Sequence, residues 1–272
     1  MKRKAMTILV LMILFLSGCN KVTEPPVDLS TRKNTVFTNW EVVPYFIPKD
    51  ISLVALGDSL TEGVGDEKNK GGYVGRLTEK MTDWKGVRKI ELENLAKRGK
   101  RSDQLLKQVK EDTYAKSALM GADIIVLTIG GNDMMKIVKR DIFNLTKEPF
   151  YEELVDFEQR MVDTVHEIRL SNANAPIVVL GLYNPFNMFT GEVEDLQTII
   201  GDWNSVLKGI TDEDGNACFV PVEDLFVSND HMVYHKDFFH PNGYGYELLT
   251  DRIIESLEEC GLYQMTDGEM DF

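Results

Sequence analysis

From Ile51 onward, short apolar runs alternate with longer segments in which apolar residues recur at helical spacing. Short apolar runs predict buried strands, and apolar residues three or four positions apart predict amphipathic helices. The five predicted strands cover residues 51–56, 89–95, 123–129, 176–182 and 217–222. The predicted helices cover about residues 73–84, 102–118, 150–171, 196–210 and 243–258, the last capped by Asn242.

Alternation of strands and helices predicts a parallel sheet that is covered by helices on both faces. No internal repeat and no second change in composition interrupts this pattern. We therefore predict one α/β domain with a five-stranded parallel sheet over residues 49–262. An acidic tail follows over residues 263–272, and its last part, Thr266 to Phe272, is expected to be loose.

The first residues of the chain have a different pattern. Three basic residues, Lys2 to Lys4, precede Ala5 to Leu16, a segment of twelve residues in which only Thr7 is polar. This segment is too short to span a bilayer and predicts a signal peptide. It ends in Leu16-Ser17-Gly18-Cys19, which resembles a bacterial lipobox.

The lipobox resemblance implies that residues 1–18 are removed and that Cys19 becomes the lipidated first residue. An extracytoplasmic lipoprotein, anchored to the cell membrane, is the resulting expectation. The alternative is an ordinary secretory signal with a chance cysteine. Residues 19–48 contain four prolines and no sustained period, which predicts a tether between Cys19 and the domain. Cys218 and Cys260 remain, and they either pair or stay buried and free.

Charge narrows the choice of partners. The 272 residues include 30 basic and 44 acidic ones, for a net charge of −14. Loss of residues 1–18 removes three bases and no acid, which leaves 27 bases, 44 acids and a charge of −17. Phosphate contacts require clustered Lys and Arg, so nucleic acid is a poor candidate partner. The expected membrane attachment is through lipid and not through basic residues.

Reactive residues follow the ends of four predicted strands. They are Gly57-Asp58-Ser59-Leu60, Gly99, Gly130-Gly131-Asn132-Asp133 and Asp237-Phe238-Phe239-His240. In open α/β sheets, ligands bind outside the carboxyl ends of the strands. We therefore expect these four groups to meet at one edge of the sheet.

Together, the four blocks resemble the GDSL, or SGNH, family of serine esterases and lipases. The resemblance covers about residues 51–258, with the blocks in the family's order. It implies a flavodoxin-like three-layer α/β/α fold, hydrolysis of small-molecule or lipid esters, and no metal or cofactor. It also implies an oxyanion hole made of the Ser59 and Gly99 backbone amides and the Asn132 side chain.

The residues support the same chemistry on their own terms. A serine hydroxyl is a weak nucleophile unless a base removes its proton, and His240 is the candidate base for Ser59. Asp237, three residues earlier, is placed to hydrogen-bond the other imidazole nitrogen. Acyl transfer also needs a donor for the developing oxyanion, and Asn132 offers a side-chain amide.

Two other functions stay open. A metal hydrolase is conceivable because His231, His235 and His240 share a loop with Asp230 and Asp237, although the spacing matches no His-Glu-x-x-His motif. A binding lipoprotein whose hydrolase fold has lost activity is the other alternative. A segment that imitates a calcium loop is interpreted as a turn, because Ala217 stands where glycine is needed; its candidate ligands are Asp212, Asp214, Asn216 and Glu223.

Two surface features bear on the substrate. Four bases, Lys97, Arg98, Lys100 and Arg101, surround Gly99 and form either a solvated turn or a contact to an anionic part of the substrate. The apolar loop 183–189 and the segment 134–149 are candidates for the walls of an acyl pocket, with ordinary packing as the alternative.

Overall fold

The computed structural model describes residues 44–141, 145–185, 194–226 and 232–272. Its centre is a sheet of five parallel strands in the order β2-β1-β3-β4-β5. The strands are β1 Lys49–Gly57, β2 Val87–Asn94, β3 Ile124–Thr128, β4 Ile177–Leu180 and β5 Ala217–Val220. The predicted α/β class and the five-stranded parallel sheet are confirmed.

Helices fill the connections between the strands and follow the last strand. They are α1 Ser59–Glu62, α2 Gly72–Met81, α3 Ser102–Glu111, α4 Thr113–Met120, α5 Gly131–Asp141, α6 Glu148–Ser171, α7 Glu194–Glu213, α8 Gly243–Cys260 and α9 Leu262–Met265. Short 3-10 helices cover Pro44–Phe46 and Glu223–Phe226. Asn242 caps α8 as expected, because its side chain accepts hydrogen bonds from the backbone N–H groups of Tyr244 and Gly245.

Two apolar layers cover the two faces of the sheet. Leu53 of β1 packs into the layer that contains α2 and α8, whereas its neighbour Val54 packs into the layer formed by α3 to α7. Successive residues of a strand point to opposite faces, so both faces of β1 are buried. This explains why β3 is apolar at every position except its last, Thr128.

The order of the strands in the sheet determines where the segment with Ser59 lies. After β1 the chain adds β2 on one side, and then it crosses back to add β3 on the other side, where Gly57 is in register with Thr128. Such a reversal opens a crevice at the carboxyl ends of the two strands between which it occurs, β1 and β3. The block that contains Ser59 begins at this point.

The prediction of a single helix over residues 102–118 is wrong in one respect, because this segment forms two helices, α3 and α4. Asp112 ends α3 and caps α4, where its carboxylate accepts hydrogen bonds from the N–H groups of Tyr114 and Ala115. Aspartate is favoured at this capping position, so the local capping preference overrides the continuous apolar pattern. Helix α5 was not predicted at all.

The prediction that the acidic end of the chain is loose is also wrong. Met270 is buried, and the ring of Phe272 lies edge-on against Trp84, with 4.8 Å between ring centroids. The backbone of Asp271 pairs with that of Lys85, and their side chains form an ion pair. Apolar residues within the acidic segment therefore hold it against the domain.

Cys218 and Cys260 form a disulfide, which decides between the two alternatives left open by the sequence. It joins β5 to the last residue of α8, with 5.9 Å between the Cα atoms. Cys19 and the predicted signal lie outside the described residues. At the end of the predicted tether, Tyr45 contacts Tyr263, with 6.0 Å between ring centroids.

Candidate active site

Ser59, His240 and Asp237 form a continuous chain of hydrogen bonds. The Oγ atom of Ser59 lies 2.9 Å from Nε2 of His240, and Nδ1 of His240 lies 2.7 Å from Oδ2 of Asp237. Ser59 is 3% exposed and His240 is 6% exposed. The structure thus brings together the candidate nucleophile and the candidate base, which lie 181 positions apart in the sequence.

The loop before α8 holds the acid and the base in place. Oδ1 of Asp237 accepts hydrogen bonds from the backbone N–H groups of Phe239 and His240, at 3.1 and 3.0 Å. The carbonyl of His240 accepts one from the N–H of His235 at 2.8 Å, and Phe238 takes a left-handed conformation with φ of 54°. The loop therefore folds back on itself, which is what lets two residues three positions apart pair through their side chains.

The charge of Asp237 is stabilised by these contacts. Partial burial opposes its ionisation, but the hydrogen bonds from the His240 ring and from two backbone N–H groups outweigh it and lower the pKa of Asp237. The carboxylate is therefore ionised at neutral pH, as an acceptor for the imidazole requires.

Tyr183 is a further contact of this loop, and the sequence did not indicate it. The hydroxyl of Tyr183, beyond the end of β4, donates a hydrogen bond to the backbone carbonyl of Phe239 at 2.7 Å. Phe239 stands between the acid and the base. Tyr183 thus ties the loop of Asp237 and His240 to the segment that follows β4, and its burial raises the pKa of its hydroxyl well above the usual range.

The turn that presents Ser59 depends on Gly57 and Asp58. A Cβ atom on Gly57, where φ is 122°, would lie 2.0 Å from the carbonyl oxygen of Thr128, so only glycine fits. Asp58 is buried and accepts hydrogen bonds from the Leu60 N–H at 3.1 Å and from the Thr128 hydroxyl at 2.9 Å. Burial raises the pKa of Asp58 to about 6.

Asn132, at the start of α5, contacts the turn that carries Gly99. Asn132 is the second residue of α5, and its side-chain N–H donates to the backbone carbonyl of Lys100 at 3.0 Å. Gly99, with φ of 77°, occupies the turn closed by the Lys100 N–H on the Lys97 carbonyl. The Lys97 N–H in turn donates to the carbonyl of Gly57 at 3.0 Å, which joins this turn to the end of β1.

The four bases around Gly99 do not behave alike. Lys97 and Arg98 are exposed, and Arg101 pairs with Asp103 at 2.9 Å. Lys100 is only 8% exposed, and its ammonium donates hydrogen bonds to the Leu95 carbonyl and the Gln108 side chain. Burial lowers the pKa of Lys100, and neighbouring Lys97 adds to the effect. The buried side chain of Lys100 therefore stabilises the turn from inside the protein.

Asp133, quoted with Asn132 in the third block, has a structural place. Its buried carboxylate accepts hydrogen bonds from the N–H and the hydroxyl of Ser102. Arg160 donates to the Ser102 hydroxyl at 2.7 Å and lies 3.5 Å from Asp133. These contacts join α3, α5 and α6 behind the site.

An apolar cleft with a cavity volume of about 50 Å³ opens beside Ser59. Met134, from the segment expected to wall the site, lines it, and so do Tyr183 and Pro185 from the predicted apolar loop. Residues 186–189 of that loop lie outside the described residues.

Two of the proposed metal ligands, His240 and Asp237, are hydrogen-bonded to each other. Both ring nitrogens of His240 are hydrogen-bonded, and His231 and Asp230 lie outside the described residues. Within the described ranges, no group of three or more His, Cys, Asp or Glu side chains is arranged to hold a metal ion. In the calcium-like segment, Asp214 pairs with Arg169 at 2.7 Å.

Comparison with known proteins identifies the family of the chain. The model of the GDSL-like lipase/acylhydrolase family matches residues 55–248. The chain belongs to this family. The recognition drawn from the four blocks, and the expectation of an esterase or lipase, are confirmed at this level.

Two relatives in Bacillus are similar over most of the chain. Uncharacterized protein YpmR of Bacillus subtilis is 34% identical over 264 residues, which cover 96% of this chain and 99% of YpmR. Spore germination lipase LipC of Bacillus licheniformis is 27% identical over 215 residues, which cover 75% of this chain and 94% of LipC.

A solved structure shows the same fold. The lipase Lip_vut3 from a goat rumen metagenome superposes with a TM-score of 0.68 at 24% identity, covering 78% of this chain and 97% of Lip_vut3. The α/β fold of GDSL hydrolases is therefore confirmed.

Proposed function

We propose that the chain hydrolyses carboxylic esters through an acyl-enzyme on Ser59, with His240 as the general base and Asp237 as its partner. The observation that carries this proposal is the chain of two hydrogen bonds, 2.9 Å from Ser59 to His240 and 2.7 Å from His240 to Asp237. Nucleophile, base and orienting acid in this order are the arrangement that activates a serine.

In the first half-reaction, Oγ of Ser59 attacks the ester carbonyl carbon while Nε2 of His240 takes the hydroxyl proton. The carbonyl oxygen becomes negative, and the backbone amides of Ser59 and Gly99 and the side chain of Asn132 donate hydrogen bonds to it. When the intermediate collapses, the C–O bond to the alcohol breaks and His240 gives its proton to the departing oxygen. Ser59 is left acylated.

In the second half-reaction, His240 removes a proton from water, which attacks the acyl carbon. Collapse of this second intermediate breaks the bond to Oγ, and the proton returns to Ser59 as the acid leaves. Asp237 stays ionised in both halves and stabilises the imidazolium that forms twice. Its lowered pKa supports this role.

A covalent probe tests the triad. Ser59 should react with a fluorophosphonate, and Ser59→Ala should abolish both labelling and ester hydrolysis. Ser117→Ala, at an exposed position of α4, provides the matched control and should label like the unmodified chain. Labelling that persists in Ser59→Ala would overturn the assignment, and loss of activity on chelation would favour a metal hydrolase.

We also propose that the enzyme acts outside the cytoplasmic membrane, anchored by lipid on Cys19. The supporting features are the lipobox-like Leu16-Ser17-Gly18-Cys19 and the disulfide between Cys218 and Cys260, a bond that persists mainly in oxidising compartments. None of the helices within the described residues is long and apolar enough to cross a membrane. Fractionation of expressing cells tests this proposal: the enzyme should be found with membranes, and Cys19→Ser should move it out of that fraction.

A further inference from the structure

The apolar cleft beside Ser59 runs between helices α5 and α7. Six of the apolar residues that line it come from the two helices and from the position after Gly181, beyond the end of β4: Met134, Met135, Val138, Leu182, Leu196 and Ile200. Four of the six are less than a tenth exposed, which shows that the cleft penetrates into the apolar layer on this face of the sheet.

The cleft offers little to a polar or charged group. Among the described residues that line it, Asp58 is the only charged one, and its carboxylate is occupied by Leu60 and Thr128. Beyond Ser59 and Asn132, the Thr128 and Tyr183 hydroxyls also line the cleft, but both already donate hydrogen bonds within the protein. A hydroxylated or anionic group that entered would lose its hydration without a free donor in return, which is unfavourable. An aliphatic chain meets no such penalty.

The proposed oxyanion donors place the ester carbonyl beside the cleft. Ser59 and Asn132 both line it. A carbonyl group attacked by Ser59 and held by Asn132 therefore lies where a substituent of the carbonyl carbon can enter the cleft. We propose that the cleft binds the acyl chain and makes the enzyme selective for esters of medium-length aliphatic acids over acetates. This inference rests on the proposed function and specifies its substrate.

The walls set the length of chain that fits. Met134 and Val138 are four residues apart on α5, as are Leu196 and Ile200 on α7, so each helix contributes one turn, about 6 Å of wall with room for roughly five carbon atoms. Each methylene that leaves water for this wall should raise kcat/KM by up to about fourfold.

The first test is the chain-length profile of the unmodified enzyme on p-nitrophenyl acetate, butyrate, hexanoate, octanoate and dodecanoate. We expect kcat/KM to rise by about two- to fourfold for each methylene as far as hexanoate or octanoate, and then to level off. A flat profile, or a maximum at acetate, would overturn the inference.

The second test fills the cleft from either side. Met135→Trp and Leu196→Trp replace half-buried lining residues on different helices. Each should lower kcat/KM for hexanoate by about tenfold or more, while the value for acetate stays within about threefold. Met120→Trp, at an exposed position of α4, is the matched control and should leave the profile unchanged. Equal losses on acetate and hexanoate in both folded variants would contradict the inference.

The third test distinguishes the acyl chain from the alcohol. Alkyl acetates of increasing alcohol length should show no comparable rise in kcat/KM, and the tryptophan variants should not discriminate among them. If they do, the cleft binds the alcohol and the inference is wrong. Fluorophosphonate labelling of Ser59 keeps the two proposals separate. If Ser59 is labelled but the chain-length profile is flat, only the acyl-binding role of the cleft is wrong. If the Ser59→Ala variant still hydrolyses esters, the proposed function itself is wrong.

Discussion

The side-chain amide of Asn132 donates a hydrogen bond to the backbone carbonyl of Lys100 across 3.0 Å. This contact fixes the rotation of the amide, because only its nitrogen can face a carbonyl oxygen. The nitrogen carries a second hydrogen, which in the proposed function donates to the oxyanion. One hydrogen bond therefore joins α5 to the turn that carries Gly99 and orients two of the three proposed donors together.

Asn132→Ala should lower kcat by about 10² to 10³ with a small change in KM, since an oxyanion donor acts mainly on the transition state. Steady-state kinetics on a soluble p-nitrophenyl ester measures the split between kcat and KM. Asn174→Ala, at an exposed position before β4, is the matched control. A loss expressed only in KM would show that Asn132 serves ground-state binding.

Lys100→Met should lower kcat by about tenfold. This is less than the effect of removing an oxyanion donor, because the turn loses the hydrogen bonds of Lys100 while Asn132 and Gly99 remain. The ammonium of Lys100 holds the Leu95 carbonyl and Gln108 and does not face solvent. The loss should therefore be equal for neutral and anionic esters.

Lys97→Met tests the other interpretation of the basic cluster. Lys97 is exposed in the same turn, and its replacement should leave hydrolysis of both ester types nearly unchanged. If Lys97→Met or Arg98→Gln selectively slows the anionic ester, the cluster contacts substrate after all and Lys100 is not the base that matters.

The sequence predicted which residues meet at the candidate site better than it predicted the contacts that hold them in place. The blocks around Ser59, Asn132 and His240 follow strands whose apolar pattern is strong, and parallel topology brings strand ends to one edge. The burial of the Lys100 side chain was not predictable, because a lysine in a run of bases has the same local sequence pattern whether its side chain is buried or solvated. Its contacts with Leu95 and Gln108 arise only from the packing of the turn on α3.

The other misses have similar causes. Helix α5 begins at Gly131, a residue that usually ends elements, and its apolar side chains face the cleft as well as the core. The end of the chain was expected to be loose because it is acidic, but Met270 and Phe272 bury apolar surface that composition alone does not reveal. Aspartate at position 112 is a capping signal in the sequence, but the apolar pattern continues past it and favoured a single helix.

Tyr183→Phe should lower kcat by about three- to tenfold, because the carbonyl of Phe239 loses its hydrogen bond and the loop of Asp237 and His240 is held less firmly. Fluorophosphonate labelling of Ser59 should slow by a similar factor. Tyr244→Phe, at an exposed position of α8, is the control. Unchanged labelling in Tyr183→Phe would show that the loop is positioned by its internal hydrogen bonds alone.

Asp58 makes the stability of the protein depend on pH. Burial raises its pKa to about 6, above the value of about 3.9 in an unfolded chain. Between these values the native state binds more protons than the unfolded state, so the contribution of Asp58 to the free energy of unfolding falls as the pH rises from about 4 to about 6.

Asp58→Asn should remove this dependence. The free energy of unfolding of the variant, minus that of the unmodified chain, should increase by up to ~3 kcal/mol between pH 4 and pH 7. Urea unfolding at a series of pH values measures the difference, with the exposed Asp83→Asn as the control for loss of one negative charge. A difference that does not vary with pH would show that the pKa of Asp58 is the same in the native and the unfolded state.

The disulfide between Cys218 and Cys260 should stabilise the fold without taking part in catalysis. It closes a loop across 42 positions, which in the chain-entropy model is worth about 4 kcal/mol. Reduction with dithiothreitol should therefore lower the urea midpoint of the unmodified chain while leaving kcat at 25 °C unchanged. The double variant Cys218→Ala, Cys260→Ala should be less stable and should not respond to dithiothreitol. A midpoint that reduction does not move would mean that the cross-link contributes nothing to stability, because strain in the native state offsets the entropy it removes from the unfolded chain.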